Sequence, residues 1–263
     1  MTGVADGFPI LATREAPRFP IPDSRFPTMG LTISYILGLP ASSPRATVVE
    51  RVEQLRAAAE RLPFERVGPM IALEAGESLG DMDPPDPLEF AFRLWASSGP
   101  DPDDPETGGF ADSMPEAVGF TVMPGEHCEP APCGLAWVPP RDDEWNVLRG
   151  HPWTWQWAAA CKTQYASIVS VDHFVRCHTS IVALLDEAVK LGFTVSVNDE
   201  GGYWQSRDPD QLLGRVDHMN RLVAALAGAV HDRIGDAHRV EGPIFQHPEF
   251  ERLETKAFRK EDQ

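Results

Sequence analysis

The sequence predicts an α+β fold, a mainly antiparallel sheet with about three helices packed on it. Three observations carry that expectation. Several apolar segments alternate with period two, the pattern of strands with one buried and one wet face. Three longer segments carry apolar stripes at helical spacing between recognisable start and stop signals. Strand, helix and strand also follow one another twice, at 31–73 and 153–197, which suggests two topologically similar halves. A doubly wound parallel sheet would want more helices and continuously apolar strands.

The first good strand is Leu31-Thr-Ile-Ser-Tyr-Ile-Leu37. Ser43 and Pro44 then read as the N-cap and first position of a helix with the stripe Val48, Val52, Leu55, Ala59 and Leu62, stopped by Pro63. Val67–Leu73 reads as a strand. So does Leu88–Trp95, where Leu88, Phe90, Phe92 and Leu94 alternate with Glu89, Ala91 and Arg93. The segment Gly99–Pro115 is a loop by composition. Short strands are expected at Val118–Met123 and Leu135–Val138, on either side of a proline-rich loop holding Cys128 and Cys133.

The tryptophan strand follows, with Trp153, Trp155 and Trp157 on one side and Thr154, Gln156 and Ala158 on the other. A helix over Val171–Leu191 ends at Gly192, and Phe193–Val197 is the next strand. After the turn Asn198-Asp-Glu-Gly-Gly202, Asp208 caps the last long helix, with Pro209 at its first position. Its stripe is Leu212, Val216, Met219, Val223, Leu226 and Val230, and Ala224, Ala225, Ala227 and Gly228 permit close approach of another element. The expected organisation is an extended proline-rich arm at 1–28, one domain at 29–240 with possible halves 29–145 and 146–240, and a tail at 241–263. Met1 and Met29 are both candidate translation starts.

The 263 residues carry a formal net charge of −17, and that charge is unevenly distributed. From Glu74 to Glu116 twelve acids face a single base, Arg93, so this window supplies eleven of the seventeen excess negative charges. Such a field repels phosphate backbones and anionic lipid, which argues against nucleic-acid and membrane partners, and it attracts a basic protein. A plain solvated loop is the competing interpretation. No apolar run approaches the roughly 18 residues of a membrane helix, and no export signal is evident, so the expected location is the cytoplasm. Four cysteines in a chain of this length fit a reducing compartment and no disulfide framework.

The sharpest chemical candidate is a nucleophilic Cys161 at the end of the tryptophan strand, with His178 as base and Asp199 or Glu200 orienting the imidazole. Against it, cysteine is among the most buried residue types, and His178 shares a helical stripe with Phe174, Ile181, Leu185 and Ala188. His173 and Cys177 share a helix face as a metal pair would, but a closed zinc site wants four ligands, and no metal or cofactor is expected. Asp101-Pro-Asp-Asp-Pro-Glu106 lacks the glycine of a calcium loop. Nucleotide-binding and common hydrolase motifs are absent. Tyr203 and Trp204 after the Asp199-Glu200 turn could wall a ligand cleft or simply seal the core.

Two readings survive. In the first, the chain is a non-catalytic acidic binding module, an immunity- or antitoxin-like inhibitor that docks Asp101, Asp103, Asp104 and Glu106 onto a basic partner, with Tyr203 and Trp204 as further contact residues. In the second, it is a small-molecule hydrolase or transferase built on Cys161, His178 and Asp199 or Glu200. The charge asymmetry favours the first.

Overall fold

A computed structural model describes residues 31–77, 86–97, 114–144, 146–148, 150–234, 243–250 and 252–253. The arm at 1–28 and the acidic residues Asp101, Asp103, Asp104 and Glu106 lie outside the described residues. Seven antiparallel-paired strands form one sheet: β1 (Thr32–Leu39), β2 (Arg66–Val67), β3 (Ile71–Leu73), β4 (Ala117–Met123), β5 (Ala131–Val138), β6 (Thr154–Lys162) and β7 (Thr194–Asp199). Five α-helices accompany them among the described residues: α1 (Arg45–Ala59), α2 (Pro87–Ser97), α3 (Val171–Lys190), α4 (Tyr203–Ser206) and α5 (Pro209–Ile234). The α+β class is therefore as expected.

The strand order is β2-β4-β5-β6-β1-β7, and β3 also pairs with β4, so β2 and β3 make one edge interrupted around Gly68. Because every neighbour is antiparallel, directions alternate across the sheet. That makes β1 and β2 run one way and β6 and β7 the other. Each of the crossovers β1-α1-β2 and β6-α3-β7 thus joins strands of equal direction that are not neighbours. The two crossovers step outward in opposite senses along the sheet. Right-handed connections then require α1 and α3 to lie on the same face, where they pack against each other. This is the physical content of the two similar halves.

On that face β1 presents Ile33, Tyr35, Leu37 and Leu39, and β6 presents Cys161, Ala159, Trp157 and Trp155 directly opposite them. Together with Val48, Val52 and Leu55 of α1 and Ile181, Leu184 and Leu185 of α3 they form the main core. Tyr35 and the Trp157 indole both donate to the Pro132 carbonyl, at 2.9 Å each. Such bonds satisfy polar groups that would otherwise be costly to bury.

Three local expectations are corrected. Leu88–Trp95 is not a strand but most of α2, whose buried residues Leu88, Phe92 and Ala96 recur every four positions. Asp86 caps it, accepting from the Leu88 N–H at 2.8 Å, and Pro87 opens it. The Phe92 ring stacks on Trp157 with centroids 4.6 Å apart and lies over the paired glycines Gly119 and Gly134. A Cβ at Gly119 would sit 2.1 Å from that ring, so the glycine is there for close approach.

Ser43 does not cap α1, whose cap position is Pro44 with no side-chain hydrogen bond. The Ser43 carbonyl instead accepts from the Trp155 indole at 3.2 Å. The stripe of α5 is buried at Leu212 and Val216 but runs into solvent at Leu226, which is 43% exposed. Ala224 makes the expected close approach, packing against Ile244 and Leu253, so residues of the 241–263 segment fold back onto α5. Asp208 caps α5, accepting from the Asp210 N–H at 2.9 Å, and Gly192 ends α3 at φ 87°.

Candidate functional site

Cys161, Asp199 and His178 gather around the central strand. In register, Ile33 of β1 lies opposite Cys161 on one side and opposite Asp199 on the other. The cysteine and the acid therefore share a face but stand two strands apart, about 10 Å between backbones at the usual strand spacing. α3 crosses above, and its buried stripe sets His178 over Asp199, with Nε2 3.1 Å from Oδ1. The other ring nitrogen, Nδ1, is 2.8 Å from the Thr163 hydroxyl just beyond β6.

The Asp199 partner fixes one proton position: a carboxylate accepts only, so Nε2 carries a hydrogen, while Nδ1 and the Thr163 hydroxyl share the second hydrogen bond. Asp199 also accepts from the N–H groups of Gly201 at 2.8 Å and Trp204 at 2.7 Å. Burial by itself would raise the Asp199 carboxyl, but the His178 hydrogen bond and charge and these two N–H donors outweigh it and hold the group below the ordinary carboxylate range. Gly201 is needed where it stands, because a Cβ there would lie 2.9 Å from His178 Nε2.

The chain Thr163–His178–Asp199 has the elements of a hydroxyl–imidazole–acid triad, yet nothing reaches it. Thr163 and His178 are fully buried, and so is the Asp199 side chain. Both imidazole nitrogens are committed, leaving none to take a proton from a substrate. Cys161 is also fully buried, and its Sγ donates to the Glu129 carbonyl at 3.2 Å, not to His178. Burial, with the Glu129 charge and the Cys133 and Cys177 thiols behind it, pushes the Cys161 thiol well above the usual range. The structure thus joins His178 to Asp199 and leaves Cys161 outside the pair. Glu200 turns back to β1, accepting from the Thr32 N–H at 2.9 Å.

Tyr203 and Trp204 form the start of α4 and pack, half-buried, against the core. Arg207 covers the Trp204 ring at 4.7 Å and holds Asp186 through two hydrogen bonds of 2.7 and 2.8 Å. Thr163 is not marked in the sequence as a site residue, nor is a second buried polar chain, in which Gln164 bonds the Leu31 N–H and Asn220, and Asn220 bonds Ser167. A buried glutamine beside a threonine after a strand is the only local cue to either. His173 and Cys177 do share a face, with Nε2 3.6 Å from Sγ, but among the described residues no three metal-ligating side chains converge. Nor, among those residues, is any helix long and apolar enough to cross a membrane.

No family model, curated protein or solved structure matches the chain.

Proposed function

We propose that the protein is a non-catalytic acidic binding module, an immunity- or antitoxin-like inhibitor whose 74–116 region engages a basic protein partner. The observation that supports this reading most is the placement of eleven of the seventeen excess negative charges in that one window. Its acids that lie within the described fold are already matched by arginines. Arg45 pairs with Glu74 and Glu116, Arg66 with Asp86, and Arg93 with Glu77 and Glu89. The window's other acids lie outside the described residues, and among them Asp101, Asp103, Asp104 and Glu106 sit close in sequence. A dense acidic segment accelerates encounter with a basic surface and can occupy a site meant for phosphates.

The burial of Cys161, Thr163 and His178 speaks against the hydrolase or transferase reading, which needs a nucleophile and base open to substrate. The test is affinity capture of basic proteins by the wild-type chain and by a variant carrying Asp101→Asn, Asp103→Asn, Asp104→Asn and Glu106→Gln, at low and high salt. A partner retained by the wild type at low salt and lost from the variant supports the proposal. Equal capture by both, or capture that ignores salt, overturns it.

A further inference from the structure

The sheet ends differently at its two edges. One edge is made of β2 and β3, two short pieces separated at Gly68-Pro69. An edge broken by a residue without an N–H offers little ladder to another chain, a common way of blunting it. The other edge is β7, Thr194-Val-Ser-Val-Asn-Asp199, in unbroken register with β1. It holds no proline or lysine, and its threonine and valines favour extended backbone.

The register shows which backbone groups of β7 are turned outward. The Glu200 N–H donates to the Thr32 carbonyl at 3.2 Å, one step beyond the Ile33–Asp199 pair. In an antiparallel pair the residues that exchange bonds recur at every second position, so Asn198, Ser196 and Thr194 also turn their groups to β1. Val195 and Val197 turn theirs away from it, and among the described residues β7 pairs with β1 alone. The side chains sort the other way. Val195 and Val197 pack on the main core, whereas Thr194 and Asn198 are exposed and Ser196 is half-buried between them.

Charge decides what can lie against this edge. In a chain of net charge −17, no residue from Thr194 to Asn198 is charged. The acids of the strand's end and of α3, which packs on it, are held: Asp199 by His178, Asp186 by Arg207 and Glu187 by Lys190. A basic strand therefore finds nothing here to attract it, and an equally acidic copy of the chain finds nothing to repel it. The edge is also its own complement. About a two-fold axis at Ser196, Val195 of one copy stands opposite Val197 of the other, Thr194 opposite Asn198, and Ser196 opposite itself. The valines then exchange their outward N–H and C=O groups, and the polar pairs meet on the wet face.

We propose that β7 pairs with β7 of a second copy, antiparallel and centred on Ser196, so that two sheets become one across a two-fold axis. The pairing satisfies the outward groups of Val195 and Val197 and removes an edge otherwise open to any extended chain.

The test measures the mass of the full chain by sedimentation over a range of concentrations and cross-links added cysteines with copper phenanthroline, the wild type serving as control for the native thiols. The wild type should be a dimer that dissociates on dilution. Ser196→Cys should give a covalent dimer whose linked peptide joins position 196 of both copies, because residues facing each other there stand about 4.5 Å apart between Cα atoms, within disulfide reach. Thr194→Cys and Asn198→Cys should link only when the two are mixed. Ser196→Lys sets like charges face to face on the wet face and leaves the core untouched, so dimerisation should weaken severalfold with an unchanged circular dichroism spectrum. A monomeric mass at every concentration, a dimer that Ser196→Lys leaves intact, or a Ser196→Cys chain that stays unlinked would overturn the proposal. So would Val195 and Val197 amides protected from hydrogen exchange only after a captured basic partner is added.

Discussion

Asp199 shows how a buried acid becomes structural: it accepts from His178, Gly201 and Trp204, and no solvent touches its side chain. Its folded-state pKa is depressed, so the stability it contributes is fully present above the unfolded value of about 4 and is lost as pH falls through the folded value. Chemical denaturation followed from neutral to acid pH should therefore show wild-type stability dropping below about pH 4, with a shallower drop in Asp199→Asn. Replacing His178 with alanine would strand the carboxylate and should cost about 3 kcal/mol, read as a lower denaturation midpoint. Cys161, bonded to the Glu129 carbonyl and raised by burial, should resist iodoacetamide at neutral pH in the folded protein. Rapid labelling of Cys161 would reopen the enzyme reading. At this scale the sequence made His178 and Asp199 legible as partners, because a histidine on an apolar stripe needs a buried polar neighbour. It could not reveal Thr163, since the contact depends on how far β6 runs before the chain turns.

α2 is where sequence reading went astray, and the reason is specific. Leu88, Phe90, Phe92 and Leu94 fit period two, while Leu88, Phe92 and Ala96 fit a helix, and only the second set is buried. The deciding signal was present in Asp86-Pro87, the same cap-and-proline pair that correctly starts α5 at Asp208-Pro209. Asp86→Ala should then cost about 1 kcal/mol, and Phe92→Ala about 3–5 kcal/mol through loss of its stacking on Trp157 and its packing over Gly119 and Gly134. Gly119→Ala should also lower the thermal midpoint, because the new methyl meets both the Phe92 ring and the Cys133 carbonyl. A midpoint unchanged by Phe92→Ala would mean α2 is not seated as described. The long helices α1, α3 and α5 were legible because each joins an apolar stripe to a stop or a cap. The interruption that splits β2 from β3 was not, since Gly68 and Pro69 look alike in a bent strand and in a loop.

Across the whole molecule, two crossovers of opposite step put α1 and α3 on one face of an antiparallel sheet and close its central strands against solvent. The polar groups that suggested catalysis are consumed in holding that core together. Strand order was beyond the sequence, because long-range pairing such as β1 with β6 leaves no local mark. The charge asymmetry was fully legible, being a property of composition, and it carries the proposed function. The decisive measurement is the association rate between the chain and its captured basic partner as salt is raised, for the wild type and for the variant neutralised at Asp101, Asp103, Asp104 and Glu106. The account predicts a wild-type rate that falls steeply with salt and a variant rate that is slow and nearly flat. Matching rates with the same salt dependence would contradict it.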